Sequence, residues 1–165
     1  MKNQTKITAE KGVQELFITR EFEAPRELVF KAFSDPELLV QWLSPCEMTL
    51  KIDYMDSRAG GSYRFINSNA QGQEFCFNGV IHEVLEPERL IRTFEFEGLP
   101  ERGHVVLETA TFEALPGNRT KLVIQSVFRS VADRDGMISS GMEYGVNDAH
   151  RLLDELLEQL VKQPA

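Results

Sequence analysis

The chain is short of cysteine, histidine and basic residues, and each shortage excludes a class of protein. Its 165 residues hold two cysteines, Cys46 and Cys76, too few for a disulfide framework and not spaced as C-x-x-C. The three histidines, His82, His104 and His150, are scattered at spacings that match no metal motif. Lys and Arg number 18 against 26 Asp and Glu, for a formal charge of -8. The basic footprint of a nucleic-acid binder is missing, and anionic membrane surfaces are disfavoured. No apolar run approaches the roughly 18 residues of a membrane span. The first dozen residues, MKNQTKITAEKG, carry no apolar core of a signal peptide, so a cytoplasmic location is expected. The Asn118-Arg-Thr sequon then has no consequence. Phosphate-binding glycine loops are absent, and no G-x-S-x-G elbow surrounds Ser139 or Ser140. Neither cofactor nor metal is expected.

What the chain does have is phenylalanine: eleven Phe beside three Tyr and one Trp. A single domain of this size buries roughly 70% of its unfolded surface, enough for a self-sufficient core. Residues 1–12 read as a loose leader and 13–163 as one domain. Residues 13–23 read as a strand. Ala24-Pro25 opens a helix whose Leu28, Val29, Ala32 and Phe33 share one face. Ser34-Asp-Pro-Glu37 has the S-x-x-E form of a capping box, ahead of a short helix through Trp42 that stops near Ser44-Pro45.

Strands follow. In MTLKIDYM, Met48, Leu50, Ile52 and Tyr54 alternate with polar residues. Gly60-Gly61 marks a tight turn, and Tyr63 and Phe65 alternate after it. Phe75, Phe77 and Ile81 form one register of the next strand, where Gly79 signals a bulge or a close backbone approach. Leu90, Arg92, Phe94 and Phe96 share a face of the strand beyond Glu86-Pro-Glu88. Two further strands flank Leu115-Pro-Gly-Asn118, the pattern of an antiparallel meander. From about Ile138 to Val161 the period becomes helical, with Met142, Val146, Ala149, Leu152 or Leu153, Leu156 and Leu160 in one stripe and Ser140-Gly-Met-Glu143 as a capping box. The reading is α+β: a curved antiparallel sheet of six to seven strands, two short helices, and a long C-terminal helix on the sheet's apolar face.

These residues carry a resemblance. Thr19 to Phe30, Phe33-Ser-Asp-Pro-Glu37 and Trp42-Leu-Ser-Pro45 resemble the opening of the START-like (SRPBCC) superfamily, and more closely its branch named for the activator of the heat-shock protein 90 ATPase. Asp56-Ser-Arg-Ala-Gly-Gly61 with Tyr63-Arg-Phe65 is similar to that branch's D-x-R-x-G-G turn and strand. Gly79-Val80 with Glu83, Pro87-Glu-Arg-Leu90 with Thr93, and Gly141-Met-Glu-Tyr-Gly145 continue the likeness over roughly residues 15–160. Leu43 departs from it, standing where a second Trp is frequent. The resemblance implies a helix-grip fold, in which the sheet wraps the C-terminal helix around a cavity for a small apolar molecule.

The aromatic positions are then read two ways, as packed core or as pocket lining. The candidate lining is Trp42, Leu50, Ile52, Tyr63, Phe65 and Phe75, continued by Phe77, Arg92, Phe94, Met142 and Val146. Arg92, Glu83 and the Tyr63 hydroxyl are the polar groups whose parity suits chemistry there, unless they satisfy local hydrogen bonds or point out beyond a bulge at Gly79, and no catalytic residue is assigned. Cys76 reads as a small buried or half-buried residue rather than a reactive thiol. The expected function is a binding module for a hydrophobic or aromatic ligand, such as a lipid, polyketide or flavonoid. An enzyme of polyketide-cyclase type and a co-chaperone-like interaction domain are the alternatives. A protein partner and the oligomeric state are left open.

Overall fold

The structure is a computed structural model and describes residues 3–44 and 47–163. Cys46 and Pro45 lie outside the described residues. The chain runs β1 (Lys6–Thr8), β2 (Glu15–Phe22), α1 (Arg26–Ser34), α2 (Pro36–Trp42), β3 (Thr49–Met55), β4 (Ser62–Ser68), β5 (Glu74–Leu85), β6 (Arg89–Phe96), β7 (Val106–Leu115), β8 (Arg119–Val127), α3 (Val131–Ser139) and α4 (Met142–Lys162). One curved, fully antiparallel sheet orders its strands β1-β2-β8-β7-β6-β5-β4-β3. The α+β architecture is the expected one, with one strand more. Residues β3 to β8 form the meander through turns such as Gly117-Asn118, where both residues take positive φ.

Three local expectations are corrected. The leader is not loose throughout: Lys6–Thr8 pairs with β2, and Ile7 packs inward with Ile18. The long C-terminal helix is present but starts at Met142 rather than near Ile138, because Gly141, whose φ of 90° is left-handed, separates it from α3. Neither S-x-x-E pattern works as a box. Asp35 caps α2 by accepting from the Glu37 N–H at 2.9 Å, while Ser34 donates back to the Phe30 carbonyl. Ser140 likewise donates to the Met137 carbonyl, and Ser130 caps α3.

Two bulges redirect side chains. Between Ile52 and Tyr54 the β3–β4 register shifts, so Tyr54 pairs with outward-facing Arg64 and is exposed, and Met55 turns inward opposite Tyr63. Between Ile81 and Glu83 the β5–β6 register shifts, which turns Glu83 away from Ile81's face. There Glu83 binds Arg89 at 2.6 Å on the exposed side, which lowers its pKa.

The core divides into two clusters on the concave face. The larger joins α1, α2 and the C-terminal half of α4 to the sheet, with Phe22, Phe30, Tyr63, Phe112, Leu122 and Leu153 fully buried. Each large side chain removed from water there contributes about 1.5–3 kcal/mol. The smaller gathers Leu16, Ile18, Val106 and Phe128, with Phe94, Met142 and Val146 against it. Where the two meet, the inward residues are only half covered.

Candidate functional site

The register fixes what lies between the clusters. Ile81, Arg92, Glu108, Ser126 and Leu16 stand directly opposite one another on β5, β6, β7, β8 and β2. Cross-strand partners share a face. Ile81 and Leu16 are buried, so the row points into the concave side. Arg92 and Glu108 approach to 3.7 Å, with side chains 23% and 24% exposed. The Arg92 guanidinium lies 5.1 Å from the Tyr63 ring centroid and 6.0 Å from that of Phe65. Burial works against its charge, but Tyr63 and Glu108 outweigh it, and its pKa rises.

Beyond Arg92 along β6 lies an aromatic tier. Phe77 stacks on Phe94 at 5.0 Å and meets Phe96 at 5.2 Å. All three rings are half-buried, as are Met142 and Val146 in the first turns of α4. Among the sequence-predicted lining residues, Phe77, Phe94, Met142, Val146 and Arg92 lie along the partly covered stretch; Phe96 was not among those predicted.

The others do different things. Trp42 is 3% exposed, donates from Nε1 to the Ala32 carbonyl at 2.9 Å and packs on Phe33, so it ties α2 to α1 deep in the core. Leu50 and Ile52 pack within the larger cluster. Tyr63 and Phe65 are buried platform rather than exposed wall. The Tyr63 hydroxyl is committed to the Thr93 carbonyl at 2.5 Å, and burial pushes its pKa up to about 12. Phe75 shares the inward register but lies at the far end of β5, where it is exposed. Cys76 is half-buried, as read.

Sequence reasoning missed Glu108 and Ser126. A signal was there: Glu108 occupies the inward parity between Val106 and Ala110, and Ser126 that between Ile124 and Phe128.

A second feature was invisible in the pattern. A cavity of about 630 Å³ opens between the N-terminal segment and the flank of α4. Arg20, 5% exposed, spans its floor and holds Asp154 in a bidentate pair at 2.5 and 2.6 Å. Beside it, His150 meets the Thr5 hydroxyl at 2.7 Å and the Phe22 ring edge-on. Burial and the nearby Arg20 charge lower the His150 pKa to about 3. The charged walls of this cavity are already satisfied within the protein: Asp154 by Arg20, Glu23 by Arg119, Arg151 by Asp148, and Lys162 by Glu158. The expected cavity between sheet and helix is not this one. The half-covered concave stretch around Arg92 is the candidate site.

The family model for "Activator of Hsp90 ATPase homolog 1-like protein" matches residues 23–158. The chain belongs to that family. The match spans α1 through most of α4, and so includes every element that builds the concave stretch except β2. Solved structures agree with the fold. A Rhodobacter sphaeroides protein is 23% identical over 93% of this chain and 99% of its own, with a TM-score of 0.83. Protein Ms6760 from Mycobacterium smegmatis is 22% identical over 93% and 96%, also at 0.83. Protein CV1439 from Chromobacterium violaceum is 27% identical over 87% and 97%, at 0.76. No curated protein matches the chain. The helix-grip expectation is therefore met by family and by architecture. Among the described residues, no helix is long and apolar enough to cross a membrane.

Proposed function

We propose that this member of the Activator of Hsp90 ATPase homolog 1-like family is a binding module for a small apolar or aromatic molecule. The ligand lies on the concave face of the sheet, under the first turns of α4. One observation supports this above others: Phe77, Phe94 and Phe96 face inward yet remain only partly covered, beside a partly covered charged pair. Core aromatics that only fill space are covered, as Phe30 and Phe112 are at 1% exposure. A ligand would complete the burial of this tier, and each ring it covers adds favourable apolar contact.

The reading is of a carrier or sensor rather than a catalyst. The Tyr63 hydroxyl already serves the Thr93 carbonyl, and a phenol with a pKa near 12 is a poor base at neutral pH. The ligand contacts proposed are Phe77, Arg92, Phe94, Phe96, Met142 and Val146. A cytoplasmic setting accords with the acidic, cysteine-poor composition.

Native mass spectrometry of the purified protein, followed by titration with fatty acids, flavonoids and sterols, tests the reading. A retained adduct, or micromolar affinity that falls at least tenfold in Phe94→Ala, supports it. No adduct and no affinity below millimolar would sink it. The family match also motivates an ATPase assay of a heat-shock protein 90 chaperone with and without this protein. Stimulation there would favour the protein-docking alternative instead.

A further inference from the structure

The row Arg92–Glu108–Ser126 is a polar line laid across an apolar floor. On one side of it stand Phe94 and Val106, paired across β6 and β7; on the other stand Leu90, Ala110, Ile124 and Ile18. Charges in such a place normally complete their hydrogen bonds, because an unmet buried polar group is costly. Here, among the described residues, neither the guanidinium of Arg92 nor the carboxylate of Glu108 donates or accepts a side-chain hydrogen bond, and 3.7 Å is too long for one between them. Two other pairs with a covered arginine are tight by comparison: Arg20 reaches Asp154 at 2.5 Å and Arg64 reaches Glu97 at 2.9 Å. The Arg92 pair is held apart, both side chains keep about a quarter of their surface exposed, and Phe94 is the next inward residue along β6.

The chemistry of that gap selects a ligand group. A carboxylate drawn to Arg92 would meet Glu108 beside it, and an ammonium drawn to Glu108 would meet Arg92. A hydroxyl suits both, accepting from the guanidinium while donating to the carboxylate. We propose that the Arg92–Glu108 pair recognises the hydroxyl of a neutral ring alcohol or phenol, whose apolar rings lie against Phe77, Phe94 and Phe96. The proposal rests on the concave-face reading above and adds the class of ligand to it.

Four probes of one shape test it: 2-naphthol, naphthalene, 2-naphthoate and 2-naphthylmethylammonium, each titrated by its own fluorescence. The expected result is that 2-naphthol binds at least tenfold more tightly than the other three. In the Arg92→Met/Glu108→Leu protein, 2-naphthol falls to the affinity of naphthalene, which itself stays level or improves. Exchanging an ion pair for apolar residues of similar size is commonly tolerated. If circular dichroism shows that the double variant has not folded, Arg92→Met alone is used with the same expectation. Equal binding of 2-naphthol and naphthalene by the parent protein overturns the hydroxyl proposal while leaving the apolar site standing. Tightest binding of the naphthoate overturns it in favour of an anion site at Arg92. Binding of none of the four at millimolar concentration overturns both the proposal and the site.

Discussion

Tyr63 and Gly79 are direct cross-strand partners, and the glycine is bare because the tyrosine lies over it. A Cβ on Gly79 would overlap the Thr93 carbonyl oxygen and come within 2.7 Å of the Tyr63 hydroxyl. The missing side chain lets the phenol cross β5 and donate to Thr93 on β6 at 2.5 Å. The ring is thereby fixed as the platform beneath Arg92. One glycine in a strand thus positions the floor of the candidate site.

Gly79→Ala should destabilise the protein by about 2–3 kcal/mol, the scale of an overpacked core, because backbone lines the space and cannot yield as a side chain would. Tyr63→Phe should cost about 1–2 kcal/mol for the Thr93 carbonyl left unmet. Urea unfolding of both variants measures this. A stable Gly79→Ala protein would show that the strands part easily there, contrary to the close approach described.

That glycine was legible in the sequence as a bulge or a close approach, and the structure resolves it as the approach. The bulges lie elsewhere, after Ile52 and after Ile81. A bulge inserts one residue and reverses all later parity, so alternation misplaced Tyr54 and Glu83 while placing Tyr63, Phe65, Phe77 and Phe94 correctly. The fold was readable because periodicity integrates over many residues. The site was less so, because it depends on how far α4 covers each inward side chain. Phe75 and Phe77 have identical parity and differ only in that cover. The Arg20–Asp154 and Thr5–His150 contacts join residues more than 130 positions apart and leave no local trace.

His150 should make stability depend on pH. Its folded pKa is about 3 against 6.5 unperturbed, since the fold accepts only the neutral ring. The unfolded chain therefore binds a proton there that the folded chain refuses, between those two values. Stability falls as pH drops through this window, by up to about 1.4 kcal/mol per pH unit, and the group adds no slope above it. Carboxylates held low by hydrogen bonds, such as Glu95 by the Gly103 N–H, act in the same direction only below about pH 4.5. Denaturation of the parent and His150→Leu proteins from pH 7.5 to 5 separates the two. Parallel curves would mean that the ring titrates normally.

Among the described residues, Asp154 is the single carboxylate paired with the buried Arg20 guanidinium, whose Nε has no partner there. Asp154→Ala leaves that cation nearly unpaired, with only the Asn3 carbonyl at 3.0 Å. Removing one member of a buried pair costs about 3–5 kcal/mol, and the partly exposed carboxylate here brings the expected loss to about 2–3 kcal/mol. Arg20→Met/Asp154→Leu should recover much of it, since no charge is then stranded. If the single and double variants unfold at the same urea concentration, the pair contributes packing rather than charge.

The helix starts give the sharpest contrast between pattern and geometry. Ser130, in an S-x-x-D frame, accepts from the Asp133 N–H at 3.0 Å and caps α3, whereas Ser140, in an S-x-x-E frame, caps nothing. The chain reaches α4 through Gly141 in the left-handed region instead, and Ser140 itself is helical, with φ −77° and ψ −1°, not the extended backbone that an N-cap serine requires. Ser130→Ala should therefore cost about 1 kcal/mol and Ser140→Ala close to nothing. Gly141→Ala should cost about 1 kcal/mol, because alanine resists a φ of 90°. Because Met142 and Val146 hang from this start, the same variant should also loosen the cover over Phe94. Faster amide exchange in the first two turns of α4, with β7 unchanged, would register that loosening; uniform exchange across the protein would show instead that the break only adds to global stability.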